Sequence, residues 1–455
     1  MAAIPPQEIP AVNLSSVAER ALLVVNRDLD EVKVNPQNTR KHSRKQLRQI
    51  ARSIKTFGFI VPILIDAHGR VLAGHGRLLG AISAGLKQIP TIMIEHLSEA
   101  QARAFMIADN RLAEIATWDD RLLAETLKEL SEICLDFSLE TTGFEMGEID
   151  LRIEGLKPAV EGNSDPADEL PEPAKITVSN VGDLWNLGKH RVLCGDALQE
   201  ANYLLLMQGK RADMMFSDPP YNLPIDGYVA GFGRVHHPEF KMASGEMSET
   251  DFTGFLSKAS ALAAANSTDG ALHFICMDWR HIQPLLAAVL PVYTELKALC
   301  VWAKDVGGQG SLYRSQHELI FVFKHGTGKH RNNVQLGQYG RYRTNVWQYP
   351  RVSSFGRAGE ENLSGAHPCL KPVSLIADAI LDCTARGDLV LDPFLGSGTT
   401  VIAAERTGRT CYGMELEPAY VDTIVRRWQA FTGSTAKHAI SGRSFNDLEE
   451  ATNAQ

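Results

Sequence analysis

One acidic residue, two prolines and an aromatic ring follow an apolar run near the middle of the chain, where Asp218-Pro219-Pro220-Tyr221 comes directly after residues 213–217. An amino group on an aromatic base is a poor nucleophile because its lone pair is delocalised into the ring. Hydrogen-bond acceptors placed against its two N–H groups free that lone pair. Asp218 and the Pro219 carbonyl group can supply them, since proline has no N–H to compete. Tyr221 can stack on a base that has been rotated out of a duplex. The pattern therefore indicates chemistry on an exocyclic amino group, with a rigid surface turn as the structural alternative.

A glycine-bearing loop between a strand and a helix is the second chemical signal, with the sequence Asp392-Pro393-Phe394-Leu395-Gly396-Ser397-Gly398-Thr399. Gly396 and Gly398 let the backbone pass close beneath a ligand, where a Cβ atom would collide. Glu415 lies near the spacing at which an acid on the next strand meets ribose hydroxyl groups. A phosphate-binding loop would carry a lysine after its glycines, and Asp392 would repel a pyrophosphate. The amino and sulfonium groups of a methyl donor suit that acid. Taken alone, the glycines are equally consistent with a tight turn.

Together these two motifs resemble those of the amino-methylating DNA methyltransferases, in the permuted order of the β class. His367-Pro368-Cys369-Leu370-Lys371-Pro372 and Cys194-Gly195-Asp196 fit the same class, and the likeness spans about Ile176 to Phe431. The first motif begins with Asp rather than Ser, which favours the N6 amino group of adenine over the N4 amino group of cytosine.

The resemblance implies S-adenosylmethionine as the cofactor. It puts Asp196 near the adenine of the cofactor, Glu415 on its ribose, and Lys371 with the glycine loop around its methionine part. Asp196 and Lys371 would also fit the sequence as surface charges. The expected catalytic residues are Asp218, Pro219, Pro220 and Tyr221; the expected cofactor residues are Asp196, Lys371, Asp392, Pro393, Phe394, Gly396, Ser397, Gly398, Thr399 and Glu415.

A basic stretch lies between the two motifs. From Lys324 to Arg357 there are seven Lys or Arg residues and no Asp or Glu, with aromatic residues interleaved. Such side chains can neutralise phosphates and read base edges, although a solvated loop with a chance charge bias is the alternative. The loop from Asn222 to Glu246 is a second candidate, which could close over a flipped base. The expected DNA-contacting residues are Lys324, Lys329, Arg331, Arg341, Arg343 and Arg351.

The N-terminal region resembles the ParB/sulfiredoxin-like fold from about Val32 to Leu130. The likeness rests on residues 35–40, 58–63, 71–77 and 108–111. Partitioning proteins of that family carry Glu-Arg-Arg where this chain has His75-Gly76-Arg77, which argues against triphosphate binding. Members have varied roles, so the fold does not define the role of the region. A ParB-like regulatory protein with a degenerate methyltransferase fold is the alternative from another class, and the two intact motifs argue against it.

The expected fold class is α/β, with a Rossmann-like methyltransferase domain and a smaller ParB-like α/β domain. An acidic stretch with three prolines, residues 161–173, has little to bury and predicts an exposed linker with few contacts. The final residues are polar and predict a frayed tail. The expected boundaries are 21–155 for the ParB-like domain, 156–175 for the linker, 176–435 for the methyltransferase domain and 436–455 for the tail.

Composition limits the class of protein further. The net charge is −8, so the chain lacks the overall basic character of many DNA-binding proteins, and its basic residues are concentrated in the stretch described above. Seven scattered cysteines without a C-x-x-C pair argue against a disulfide framework and a zinc site. With neither an apolar run of membrane length nor a signal peptide, we expect a cytoplasmic protein. The expected partner is double-stranded DNA, with no metal and no membrane; a homodimer and a partner restriction, phage or mobile-element protein are left open. The sequence thus predicts an adenine-N6 DNA methyltransferase, with its place in a restriction-modification system left open.

Overall fold

A computed structural model describes residues 22–133, 135–156, 165–172, 176–222, 245–307, 312–352 and 370–454. The chain forms two compact units. The first contains the described residues up to Asp120 together with Leu135–Phe144, and the second contains the described residues of Arg121–Cys134 and those from Glu145 onward. Residues 121–133 and 145–155 therefore pack with the second unit, although the sequence had placed them in the N-terminal domain. Within the described part of the chain, no helix is both long and apolar enough to cross a membrane.

The first unit is a small four-stranded sheet with helices around it. Its strands follow the order β1-β4-β2-β3, and only β2 and β4 are parallel. The Ser43 side chain caps the first helix by accepting from the Gln46 N–H, and Gly58 ends that helix at a φ of 83°. Its elements are β1 Val24–Asp28, α1 Arg44–Phe57, β2 Ile63–Ile65, β3 Val71–Ala73, α2 His75–Ala84, β4 Gln88–Met93 and α3 Glu99–Ile115, with 3₁₀ turns at Leu29–Glu31 and Leu139–Thr142.

The second unit is a ten-stranded sheet with a hydrophobic core on each face. Its strands are β5 Leu184–Leu187, β6 His190–Cys194, β7 Ala212–Ser217, β8 Ser267–Met277, β9 Glu295–Ala303, β10 His317–Lys324, β11 Val346–Gln348, β12 Leu389–Asp392, β13 Thr410–Glu415 and β14 Lys437–His438. Its helices are α4 Asp120–Glu132, α5 Met146–Glu154, α6 Glu200–Met207, α7 Glu249–Ala265, α8 Ile282–Val289, α9 Val373–Cys383, α10 Thr399–Thr407, α11 Pro418–Thr432 and α12 Phe445–Asn453, with 3₁₀ turns at Pro166–Asp168, Trp279–His281 and Gln335–Gly337.

The strand order of this sheet is β11-β9-β10-β8-β7-β12-β13-β6-β5-β14. The five strands β8, β7, β12, β13 and β6 are mutually parallel, so their last residues share one edge, which we call the carboxyl edge. Strand β10 is antiparallel to β8 and begins at this edge, while β9 and β11 end there. This arrangement confirms the expected α/β class, and ligands of such sheets bind at the carboxyl ends of the strands.

Residues 165–172 belong to the stretch that we expected to be an exposed linker, and they make buried contacts instead. The Asp165 carboxylate pairs with Arg406. The Ala167 carbonyl group accepts from Arg427 at 2.8 Å, and an Asp168 carboxylate oxygen accepts from the Val373 N–H at 2.7 Å at the start of α9. The acids of this stretch therefore act as partners for buried donors, which composition alone did not indicate.

The expected frayed tail is also ordered. The Phe445 side chain at the start of α12 is fully buried, and its ring lies 5.2 Å from that of Trp185 in an edge-to-face contact. Strand β14 pairs with β5, which adds the last strand to the sheet. The buried ring, the added strand and an ion pair between Arg426 and Glu449 together anchor this polar segment.

Candidate active site

The catalytic motif lies at the carboxyl edge because β7 ends one residue before it. Strand β7 is buried along most of its length, and it delivers Asp218 to the edge of the sheet. The Tyr221 hydroxyl group donates to Asp218 Oδ1 at 2.5 Å, and Lys371 Nζ donates to Asp218 Oδ2 at 2.5 Å. Both oxygens of this carboxylate therefore already have donors.

Glu318 completes this cluster, although sequence reasoning had not singled it out. Its Oε2 atom lies 2.9 Å from Lys371 Nζ and 3.3 Å from the Tyr221 hydroxyl group. Its Oε1 atom accepts from Lys304 Nζ at 2.5 Å. Burial acts to raise the pKa of Glu318, but the ammonium groups of Lys371 and Lys304 outweigh it and lower that pKa to about 2. Glu318 is therefore a permanent anion between two cations.

Tyr221 is held as a hydrogen-bond donor. Burial, reinforced by the negative charges of Asp218 and Glu318, raises the pKa of Tyr221 well above its usual value. The ring contacts both hydrophobic cores of the unit, at the edge of the sheet. The phenol group thus stays protonated beside two carboxylates.

Lys371 lies beside the catalytic motif. It was expected around the methionine part of a cofactor, and its ammonium group contacts Asp218 and Glu318. Its side chain is only 4% exposed, so a single buried cation bridges the two carboxylates. A buried lysine needs such partners, because an unpaired charge would be costly to desolvate.

The cofactor loop follows β12, the neighbour of β7 in the sheet. Asp392 Oδ2 accepts from the Thr400 hydroxyl group at 2.6 Å, and Oδ1 accepts from the Phe394 N–H at 3.0 Å. Gly398 has a φ of 80°, and a Cβ atom there would lie 2.8 Å from the Ile424 side chain. The loop therefore requires glycine at this position for both its conformation and its packing.

Glu415 and Gly396, both expected cofactor residues, are joined by a hydrogen bond. The Gly396 N–H donates to Glu415 Oε2 at 2.9 Å, and the Glu417 N–H donates to Oε1 at 2.9 Å. Asp196 follows the next strand along the sheet, β6, and accepts from the Leu198 N–H at 2.8 Å. The three expected cofactor acids, Asp196, Asp392 and Glu415, thus all lie at the carboxyl edge.

Two of these acids carry the electrostatic signature of a cation site. Burial raises the pKa of Asp392 to about 7 despite its hydrogen bonds, and burial also raises the pKa of Glu415 to about 7. Buried carboxylates with such pKa values hold their charge at a cost, which a cationic ligand would reduce. These residues therefore fit a ligand that carries ammonium and sulfonium groups, together with ribose hydroxyl groups.

Ser397 and Thr399 point away from that ligand position and into the protein. Arg427 from α11 donates to the Ser397 carbonyl oxygen at 3.1 Å, to the Ser397 hydroxyl group at 3.3 Å and to the Thr399 hydroxyl group at 3.2 Å. Both hydroxyl groups therefore already have a partner in Arg427, and the loop backbone at Ser397 is held by the same guanidinium group.

A small cavity separates the catalytic and cofactor motifs. Helix α7 closes one side of it, and β7 and β8 supply the floor. It is lined by Met215, Ser217, Pro219, Leu256, Ala259, Ser260, Ile275, Pro393 and Phe394. Pro219, Pro393 and Phe394 were all expected site residues, and the structure brings them to this one cavity.

The basic stretch is split between the two edges of the sheet. Strand β10 runs away from the carboxyl edge, so Lys324, at its end, lies at the opposite edge. Lys329 and Arg331 follow on that side: the Lys329 carbonyl group faces Gly270 near the start of β8, and Arg331 faces Asp213 near the start of β7. Three of the expected DNA-contacting residues are therefore remote from Asp218.

Arg341 and Arg343 are engaged inside the protein rather than presented to solvent. Arg341 contacts Asp378 at 3.0 Å and Asp382 at 2.8 Å on α9, and Arg343 contacts the same two acids at 3.1 and 3.2 Å. These contacts contradict the expectation that both side chains face DNA. Arg351 is exposed near the end of β11, at the carboxyl edge.

Several predicted features lie outside the described residues. They are most of the loop 222–246, the His-Pro-Cys part of the motif at 367–369, and residues 353–357 at the end of the basic stretch. Among the side chains that the structure does describe, no group of three or more His, Cys, Asp or Glu residues is arranged to hold a metal ion.

The mainly parallel sheet, with an acid-bearing glycine loop after one central strand and Asp-Pro-Pro-Tyr after its neighbour, is the arrangement that the sequence predicted for an S-adenosylmethionine-dependent methyltransferase. Comparisons with known proteins agree. Residues 212–426 match the family model described as DNA methylase, of the N6/N4 methyltransferase type. Residues 15–111 match the ParB N-terminal domain, and residues 121–181 match the ParB-methyltransferase HTH domain. Residues 212–426 therefore form a DNA methyltransferase domain of the N6/N4 amino class, and a ParB-like region precedes it. The acids and the glycine loop at the carboxyl edge fit S-adenosylmethionine as its cofactor.

The chain is similar to the type II methyltransferase M2.MboI of Moraxella bovis, with 28% identity over 51% of this chain and 85% of that protein. It is 35% identical to M.ScaI of Streptomyces caespitosus over 24% of this chain, and it spans only 35% of M.ScaI. A solved structure of M1.HpyAVI in complex with SAM covers 52% of this chain and 97% of its own, with 20% identity and a TM-score of 0.38. For the chromosome-partitioning protein ParB of Caulobacter crescentus, complexed with CTP-gamma-S, the match has 25% identity, covers 24% of this chain and 63% of its own, and has a TM-score of 0.22.

Proposed function

We propose that the protein transfers the methyl group of S-adenosylmethionine to the N6 amino group of adenine at a specific sequence in duplex DNA. The observation that carries this proposal is the pairing of Asp218 with the cofactor loop on neighbouring parallel strands, β7 and β12. An aspartate in the first position of the catalytic motif supports adenine over cytosine as the target.

The catalytic residues act on the amino group of the base. Asp218 and the Pro219 carbonyl group accept hydrogen bonds from its two N–H groups, while Tyr221 stacks on the ring of the flipped base. The amino nitrogen then forms a bond to the methyl carbon as the carbon–sulfur bond breaks. Its surplus proton leaves toward Asp218, which is the nearest base. Pro220 keeps the turn rigid, because its φ is fixed.

The loop residues hold the cofactor against this motif. Asp392 and Glu415 provide the negative charge, and Asp196 lies one strand further along the same edge. S-adenosylmethionine, when bound, supplies an electrophilic methyl group on a sulfonium centre. Desolvation of both acids makes their attraction for that cation stronger than it would be in water.

DNA must reach the carboxyl edge for a flipped base to meet Asp218. Arg351 lies at that edge and is exposed, so we assign it a phosphate contact. Lys324, Lys329 and Arg331 lie at the opposite edge, and we assign them no part in the catalytic complex.

Product analysis tests the proposal. The protein is incubated with methyl-labelled S-adenosylmethionine and unmethylated plasmid DNA, and the DNA is digested to nucleosides. We expect labelled N6-methyladenine; labelled N4-methylcytosine would assign the other base, and label in neither would refute amino methylation.

A matched pair of variants tests the assignment of Asp218. Asp218→Asn should lower turnover by about 100-fold or more, which is typical for loss of a general base. Asp278→Asn is the control, because Asp278 follows the neighbouring strand β8 at the same edge and should leave turnover within about threefold. Turnover by Asp218→Asn within tenfold of wild type would contradict the assignment, since about 1.4 kcal/mol is too little for this role.

A further inference from the structure

Four charged side chains from four separate segments meet beside the catalytic motif. Asp218 follows β7, Glu318 lies on β10, Lys304 follows β9, and Lys371 precedes α9. The cluster contains two carboxylates and two ammonium groups, so its charges balance. Because β9 and β10 form an antiparallel pair, the end of one and the start of the other lie together at the carboxyl edge.

Lys371 is shared between the two carboxylates. Its ammonium nitrogen lies 2.5 Å from Asp218 Oδ2 and 2.9 Å from Glu318 Oε2. Glu318 in turn contacts Lys304 at 2.5 Å through its other oxygen. The Lys371 and Glu318 side chains are only 4% and 12% exposed, so water screens these charges poorly.

This sharing matters for the strength of Asp218 as an acceptor. A cation close to a carboxylate stabilises its ionised form and weakens its attraction for a further proton. Without Glu318, Asp218 would be the one carboxylate left in the cluster, and it would face two ammonium groups. Asp218 would then be a weaker acceptor for the target amino group and a weaker base for its proton.

Glu318 also offers a second acceptor for the groups that now occupy Asp218. The Tyr221 hydroxyl group donates to Asp218 Oδ1, at the place where a target amino group would donate. It already lies 3.3 Å from Glu318 Oε2, so a small movement lets it leave Asp218 without losing a carboxylate partner.

We propose that Glu318 is a positioning residue for methyl transfer, which acts through Lys371 and Tyr221 to keep Asp218 free and strong as an acceptor. This role rests on the proposed amino methylation. Glu318 touches neither the cofactor loop nor a base in this arrangement, and its effect is electrostatic.

Other titratable groups face Asp218 from every element packed against it. They are the Tyr221 phenol in its own turn, Lys371 ahead of α9, the Cys276 thiol on β8, Glu318 on β10, and Asp392 on β12. Burial raises the pKa of the Cys276 thiol well above its usual value, so this group stays neutral. Cys276, Asp392 and Tyr221 are unchanged in the variants below, which alter only the charge balance around Lys371.

The first variant removes the anion but keeps the shape. Glu318→Gln should lower the maximal methylation rate on unmethylated plasmid DNA by about tenfold or more. It should also move the acid limb of the rate to lower pH, because loss of a negative charge from the cluster favours the ionised form of a carboxylate that stays beside Lys371. Affinity for S-adenosylmethionine, measured by calorimetry, should stay within about threefold of wild type.

The second variant changes the balance in the opposite direction. Lys304→Gln removes a cation from the far side of Glu318, so the acid limb should move to higher pH. In the double variant Glu318→Gln/Lys304→Gln the charges balance again, and its acid limb should return close to that of wild type. A purely structural role for Glu318 would lower the rate without producing these opposite shifts.

The rates are measured at saturating cofactor and DNA, so that the pH profile reports groups in the bound complex. An unchanged rate and acid limb in Glu318→Gln would overturn the proposal, as would a fall in rate without a shift. If Glu318→Gln does not fold, Lys304→Gln decides: a shift to higher pH supports the proposal and an unmoved limb overturns it. Absence of methyl transfer by the wild-type protein would instead contradict the proposed function.

Discussion

Asp150 is the residue through which α5 is tied most firmly to the methyltransferase sheet. Its two oxygens accept from Arg409 at 2.9 and 2.7 Å, and Arg386 lies 3.0 Å from one of them. Asp150 is 1% exposed and Arg409 is fully buried. Arg409 also donates to the carbonyl groups of Thr384 and Thr407. The guanidinium group of Arg409 therefore has several hydrogen-bond acceptors, but only Asp150 among them carries a negative charge.

Asp150→Ala should destabilise the second unit strongly. Removing one partner of a buried ion pair leaves an uncompensated charge, which typically costs about 3–5 kcal/mol. A change of 1 kcal/mol shifts the melting temperature of a domain of 150–250 residues by about 2–4 °C and that of a larger unit by less, so we expect a fall of roughly 5–10 °C. The catalytic motif itself is not touched by this change.

Thermal unfolding of the full chain, followed by tryptophan fluorescence and near-UV circular dichroism, measures this loss. Glu125→Ala is the matched control, because Glu125 belongs to an exposed pair with Arg121 on α4, worth about 0.5 kcal/mol or less. If Asp150→Ala were as stable as that control, α5 would not be an integral part of the methyltransferase unit. The same reasoning predicts that a fragment starting at residue 174 is unstable, whereas one starting near 121 is not.

Two further predictions concern charge. Since burial raises the pKa values of Asp392 and Glu415 to about 7, affinity for S-adenosylmethionine, measured by calorimetry, should rise about tenfold or more from pH 6 to pH 8 as both acids ionise. By the same linkage the cofactor-free protein should lose stability as pH rises from about 4 through 7, and an affinity independent of pH in this range would contradict the assignment. Arg341→Gln should lower the melting temperature, because Asp378 and Asp382 lose an ion-pair partner. It should leave the salt dependence of DNA binding unchanged. A flatter salt dependence would show that Arg341 contacts phosphate.

The two chemical motifs were predictable from the sequence because they follow parallel strands. An apolar strand before Asp218 and another before Asp392 place both residues at one edge, whatever their distance along the chain. Glu415 was predictable in the same way, as an acid that ends the strand after a glycine loop.

Glu318 and the position of Lys371 were not predictable by that rule. Strand β10 is antiparallel, so its first residues reach the carboxyl edge, and sequence does not reveal the direction of a strand within a sheet. A usable signal was present nonetheless: Glu318 is an acid at the start of the apolar strand Leu319 to Phe323. Such a residue needs a buried cation, and Lys304 and Lys371 provide it.

The basic stretch shows the limit of composition. Charge density predicted a DNA surface, but the same positive charges serve as internal partners when acids from another element face them. Asp378 and Asp382 lie one helical turn apart on α9, a spacing that presents two carboxylates to Arg341 and Arg343. A DNA-binding role and an internal role for these arginines can be told apart only when it is known which helix packs against the basic stretch.

The strand order of the sheet has a consequence for how the enzyme is made. The strands that carry Asp218 and Asp392 are neighbours in space, but 174 positions separate these residues in the chain. Strand β6 likewise pairs in parallel only with β13, far to its C-terminal side. Translation adds about 5–20 residues per second, so β7 is synthesised roughly 10–35 s before its neighbour β12. We expect apolar faces of β6 and β7 to stay uncovered during this time, and methylation to begin only after the C-terminal strands have joined the sheet.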